Sequence, residues 1–143
     1  MANREMRRPG DNPDDIVIQL CAPTGTAAYE INGSTLHSAF ALNPNNRNRS
    51  NTLSAEKLAE LRNKFRSLKI LVIDEISMVG ADLLVQVHER LAAIAGLPAS
   101  SAFAGVSVLA VGDFQQLSPV AQAAAVYKAP KDPYYALASL WNS

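Results

Sequence analysis

Ile70-Leu71-Val72-Ile73-Asp74-Glu75 is the stretch that decides the fold. Four apolar residues, three of them β-branched, stop abruptly at two carboxylates. A run this short, with no polar residue alternating through it, reads as a strand of a parallel sheet covered on both faces. Two other segments have the same look. Upstream, Ile16-Val17-Ile18-Gln19-Leu20-Cys21 is stopped by Pro23 and Gly25; downstream, Val106-Ser107-Val108-Leu109-Ala110-Val111 is ended by Gly112-Asp113. Strands are therefore expected at 16–21, 70–74 and 106–111, adjacent and parallel.

Parallel strands need crossover connections, and the intervening segments have a helical period. Ser54 is placed to cap a helix with Leu58, Leu61, Phe65 and Leu68 on its apolar face and Glu60 and Lys64 as an exposed i,i+4 pair. A second helix is expected from Ala81 to Ala95, with Asp82 in its first turn, Leu84, Val87, Leu91 and Ile94 on one face, and Gly96 and Pro98 as stop signals. Asn43 to Asn51 reads as a surface loop. Residues 1–15, with three prolines and glycines among charged residues, read as a flexible lead-in to a single α/β domain over 16–143.

The 143-residue length allows one compact domain, and 48% apolar residues exclude a disordered tail. Thirteen basic residues balance thirteen acidic ones, so overall charge argues neither for nor against nucleic acid. Arg47, Arg49, Lys57, Arg62, Lys64, Arg66 and Lys69 nevertheless fall in one stretch, which is either a local basic face or a solvated, charge-studded helix. The single Cys21 excludes an internal disulfide and, at the end of an apolar run, reads as a buried, inert thiol. No apolar run approaches the roughly 20 residues that span a bilayer, and the polar start has no signal-peptide character. An intracellular protein is expected.

Each of the three runs gives way at its C-terminal end to small, polar or acidic residues: Ala22-Pro23-Thr24-Gly25, Asp74-Glu75-Ile76-Ser77 and Gly112-Asp113-Phe114-Gln115-Gln116. Open parallel sheets bind ligands at that edge, so the loops are expected to assemble one polar site. After an apolar strand, an acidic doublet suits a nucleotide hydrolase, one carboxylate holding a magnesium shell and the other orienting the attacking water. The bland reading is two acids at the start of the following helix.

Taken with Thr26-Ala27-Ala28, Gly33-Ser34-Thr35-Leu36-His37-Ser38-Ala39-Phe40, Met78-Val79 and Leu117-Ser118-Pro119-Val120, these loops resemble, in order, motif Ia, its Thr-Leu-His neighbour, motif II and motif III of Pif-one/RecD-like superfamily-one DNA helicases. The likeness covers about 16–141 and extends to the helicase domains of rolling-circle transposons. It implies that Asp74 binds magnesium, that Glu75 activates water, and that Gln116 senses the γ-phosphate, with Asp113 among the nucleotide-facing residues. It implies ATP and Mg2+ as cofactors. Pro23, Thr24, Gly25 and His37 would lie along single-stranded DNA or a DNA junction. Phe114 could stack on a base, whereas Phe40 suits the core; His88, outside every motif, reads as structural.

The resemblance also implies a RecA-like P-loop NTPase fold, an α/β/α sandwich around a parallel sheet. The sequence contains no G-x-x-x-x-G-K-[ST] loop, and Ser118 stands where the family usually has a first proline. The expectation is thus an incomplete domain without its phosphate-loop strand, a fragment of an ATP-dependent 5′-to-3′ helicase that is inactive alone. In the family that strand lies beside the one at 106–111, which would become an exposed edge prone to self-association. If the source is eukaryotic, a nuclear protein is expected. The alternative is a non-catalytic nucleic-acid-binding or interaction remnant of a transposon helicase. A magnesium hydrolase acting without a nucleoside triphosphate is less favoured, because no further acidic cluster completes a metal cage.

Overall fold

The computed structural model describes residues 9–44 and 52–115, together with Pro119 and Val126. Its sheet has four parallel strands in the order β2-β1-β3-β4. These are β1 (Ile18–Ala22), β2 (Ser34–Thr35), β3 (Ile70–Ile73) and β4 (Ser107–Ala110). The three long apolar runs are indeed neighbours in register: Cys21 stands beside Ile73, and Ile73 beside Ala110. The short β2 was not foreseen. It is two polar residues long, and its approach depends on Gly33, where a Cβ would lie 2.5 Å from the Leu20 carbonyl oxygen. Gln19, buried within β1, secures it by donating to Ser34 Oγ at 3.0 Å.

Helices α1 (Gly25–Glu30), α2 (Leu36–Ala39), α3 (Ala55–Lys64) and α4 (Ala81–Ala95) make the connections. Ser54 caps α3 as expected, its hydroxyl accepting from Lys57 N at 3.2 Å. The helix stops earlier than its apolar period suggests. Phe65 forms its C-cap and stacks on Phe40 at 5.3 Å, and Leu68 N–H turns back to Phe65 O so that the chain can enter β3. The expected Glu60–Lys64 pair is replaced: Glu60 takes Lys57 at 2.8 Å, and Lys64 lies over the Phe65 ring. Helix α4 has the expected bounds, and Gly96 ends it in the left-handed conformation (φ 67°).

The basic stretch largely dissolves into structural bonds. Arg62 donates to the carbonyls of Ala93 and Ile94, placing a cation on the negative end of α4. Arg66 pairs with Asp15, which also accepts from Ser67 Oγ at 2.6 Å and so ties the end of the lead-in to the loop after α3. Arg47 and Arg49 lie outside the described residues.

One face of the sheet carries the core. Cys21, Leu71 and Ile73, each fully buried, join Leu36 of α2 and its C-cap Phe40, Leu61 of α3 and Leu84, Val87 and Leu91 of α4 in a single cluster. The structural reading of His88 holds: its Nε2 donates to Ala99 O at 2.8 Å while Nδ1 accepts from Phe103 N at 3.0 Å, pinning the loop that leads into β4.

Candidate functional site

The register fixes where the polar loops begin. Cys21, Ile73 and Ala110 are level across the sheet, so Asp74 and Glu75 lie one and two residues beyond that line, and Thr24 and Asp113 three. All four stand on the C-terminal edge. Asp74 N–H extends the ladder to Cys21 O at 2.9 Å, and Val111 N–H bonds to Ile73 O at 2.9 Å.

The chain turns sharply at the doublet. Glu75 adopts a left-handed backbone (φ 51°, ψ 45°), a conformation that costs a non-glycine residue on the order of 1 kcal/mol. Asp74 Oδ1 offsets part of this by accepting from Glu75 N at 3.0 Å. Ile76 N–H then bonds to Val111 O at 2.9 Å, so the loop after β3 is bound to the end of β4. Gly112 is required by that closeness: it has φ 155°, and a Cβ on it would lie 2.9 Å from Ile76 N. Asp113 follows with a local turn, its Oδ1 accepting from Gln115 N at 2.8 Å.

The two acids are half-buried, and the run that follows them is a short 3-10 turn, Ile76–Met78, without a side-chain cap from Glu75. Glu75 therefore makes no side-chain cap bond to that turn, and the backbone N–H met by a carboxylate is that of Glu75 itself, bonded to Asp74 Oδ1. No cluster of three metal-ligating side chains occurs among the described residues. A single strand-end carboxylate is still the donor set that Mg2+ uses where phosphates and waters complete its octahedron, and Asp74 fits that requirement. Gln116 lies outside the described residues; the neighbouring Phe114 is exposed.

Away from the doublet, Pro23, Thr24 and His37 meet on a cleft of about 340 Å3. Thr24 caps α1, its hydroxyl accepting from Ala27 N at 3.3 Å, and Gly25 opens the helix into free space. Thr35 caps α2 in the same manner through Ser38 N, which fixes His37 as the second residue of that helix. Burial holds the His37 imidazole below its ordinary pKa, so near neutral pH it is a hydrogen-bonding group and not a cation. The far wall was missed by the sequence reading: Asp82, Leu83 and Gln86 of α4. Its signal was present as three positions at i, i+1 and i+4 on a helix read for its apolar face and, at Asp82, for the acid in its first turn.

The family model described as PIF1-like helicase matches residues 8–142. This chain belongs to that family. It is 34% identical over 107 residues to the ATP-dependent DNA helicase PIF1 of Xenopus laevis, covering 75% of this chain and 16% of that one. Among solved structures, the Pif1 helicase of Candida albicans superposes with a TM-score of 0.62 at 30% identity, covering 80% of this chain and 26% of that one. The Bacteroides Pif1 helicase in complex with ADP-AlF3 and single-stranded DNA gives 0.57 at 34%, covering 79% and 25%. The chain thus spans about a sixth of the frog relative and a quarter of the solved helicases. The fold is the RecA-like domain of the family, with the parallel sheet described above. No helix among the described residues is long and apolar enough to cross a membrane.

Proposed function

We propose that this chain supplies the motif Ia, II and III loops of an ATP-dependent DNA helicase motor, one that couples ATP hydrolysis to 5′-to-3′ movement on single-stranded DNA and to unwinding. The observation that carries the reading is the assembly of Thr24, Asp74, Glu75 and Asp113 on one sheet edge, within three residues of a common register line. Family relatives that carry the name ATP-dependent DNA helicase, and one solved with a nucleotide analogue and single-stranded DNA, support it.

In this reading the edge divides its work. Asp74 holds the magnesium shell, Glu75 orients the attacking water and accepts its proton, and Gln116 with Asp113 follows the γ-phosphate. Bound Mg2+ supplies charge neutralisation for the transferred phosphoryl group. Pro23, Thr24 and Gly25 track the DNA backbone, the Thr24 hydroxyl being free to donate while it caps α1, and neutral His37 reaches the strand through a hydrogen bond. Because the sequence contains no phosphate-binding loop, Asp74 and Glu75 act only on a γ-phosphate held by other residues, and the 143-residue chain alone should hydrolyse ATP at background.

Fluorescence anisotropy with a labelled 12-nucleotide single strand tests the DNA half. Binding that falls about tenfold in Thr24→Ala/His37→Ala is expected; a chain that binds no single strand refutes the assignment. For the nucleotide half, robust ATP turnover by the chain alone that vanishes in Glu75→Gln would overturn the argument from the missing loop.

A further inference from the structure

We propose that the cleft between the C-terminal ends of α3 and α4 is a docking site for a partner protein, one that presents an acidic segment with an apolar side chain among its carboxylates. The proposal uses no residue of the nucleotide or DNA reading above.

The cleft has a volume of about 240 Å3 and lies at the other end of the sheet from Asp74 and Glu75, since Val106 in its lining immediately precedes β4. Phe65 and Leu91, both buried, and Ile94 and Val106, half-buried, give it an apolar lining. Arg62 and Arg66 stand among them, and no carboxylate does among the described residues.

The two arginines are held in place without being used up. Arg62 donates through Nε and Nη2 to the carbonyls of Ile94 and Ala93, which fixes its plane but meets its charge with no carboxylate. Arg66 donates through Nε and Nη2 to Asp15. In both, Nη1 makes no bond among the described residues. A guanidinium whose plane is already fixed loses little freedom on donating to one more anion, and its fork matches a carboxylate.

The apolar lining decides what carries that anion. A nucleic-acid strand would reach the arginines through its phosphates, but its bases would find no platform: the Phe65 ring is stacked on Phe40 and covered by Lys64. A free inorganic anion would leave the apolar lining in water. The volume of about 240 Å3 is below the roughly 300–1,000 Å3 of small-molecule sites, and suits one or two apolar side chains. An aliphatic or aromatic anchor flanked by carboxylates satisfies both the lining and the charge.

The experiment uses the full chain and fluorescein-labelled hexapeptides, with two glutamates on each side of a central pair of leucines or phenylalanines. One control has lysine for every glutamate, and the other has serine for the central pair. The acidic apolar peptides should bind at least about fivefold more tightly than either control. Ala95, exposed at the end of α4 and part of the lining, carries the decisive pair of variants. Ala95→Glu should weaken binding about fivefold, by repelling the peptide and engaging the arginines, whereas Ala95→Gln should stay within about twofold. Arg62→Gln should weaken binding by a similar factor, but it also loses the bonds to α4, so the Ala95 pair decides. A circular-dichroism melt confirms that the variants stay folded. Acidic apolar peptides that do not saturate the chain up to about 1 mM, or that bind the Ala95→Glu and Ala95→Gln chains equally, overturn the proposal. A 12-nucleotide single strand that displaces the peptides and is itself weakened by Ala95→Glu also overturns it, because the arginines are then nucleic-acid contacts.

Discussion

The two faces of the sheet are built from the same strands and have opposite surroundings. On one face Cys21, Leu71 and Ile73 are fully buried under α2, α3 and α4. On the other, Leu20, Val72 and Leu109 form a row across three strands in register; the first two are half-buried and Leu109 is 55% exposed. Beside them Val111 is also exposed, and no strand pairs with the outer side of β4 among the described residues. In sequence the two sets look alike, since apolar residues occupy both faces of these strands. The contrast shows that such a run states what a strand needs, cover on both sides, and not which of its residues receive it.

Substitutions that compare the faces should separate them by stability. Leu71→Ala, at a site with no exposure, should cost about 2–5 kcal/mol in chemical denaturation, whereas Leu109→Ala should stay within about 0.5 kcal/mol. Equal losses would mean that the open face is covered in solution. Gly33→Ala comes next. The added methyl overlaps the Leu20 carbonyl, so a loss of about 1–3 kcal/mol is expected, with β2 amides exchanging faster in hydrogen-exchange measurements.

The open face and the outer edge of β4, unpaired among the described residues, should also join copies of the chain to one another. Size-exclusion chromatography with light scattering is expected to show concentration-dependent association that Leu109→Lys suppresses. A monodisperse monomer with protected 107–110 amides would show the edge to be closed.

The buried face supplies a chemical check. Burial pushes the Cys21 thiol up to about 11, so at pH 8 it should react with a disulfide reagent only at the rate at which the domain opens. Rapid labelling of folded protein would mean that the core over β1 is loose.

The smallest expected effect concerns His37. Its folded-state pKa lies below the ordinary value of about 6.5, so the unfolded chain binds the proton more readily. Its contribution to stability is constant above pH 6.5 and is lost as pH falls from there through the lowered value. His37→Asn should flatten part of that slope in thermal melts; an unchanged slope would remove the desolvation argument.

The residues themselves show what could be read in advance. β1, β3, β4 and α4 were legible because each apolar run is bounded by glycine, proline or a carboxylate. β2 was not, since Ser34–Thr35 carries no apolar signal and exists through the contact that Gly33 permits. The end of α3 was misjudged because Leu68 continues a helical period although stacking of Phe65 on Phe40 breaks the helix first. At the site, Asp74 and Glu75 were visible as an acidic doublet after a strand, but the left-handed turn between them was not, because nothing in a Glu codes for it. The wall formed by Leu83 and Gln86 was hidden for a different reason: a half-buried helix position looks the same whether it faces solvent or a cleft.

The tight seat of Gly112 against Ile76 has a mechanical meaning. A backbone that would bring even one added carbon within 2.9 Å of Ile76 N, and that is tied there by the Val111 carbonyl, has no slack in which to slide. The loops that end β3 and β4 are thus splined like a shaft in its collar. A side chain at position 112 would not simply crowd the joint but strip its teeth.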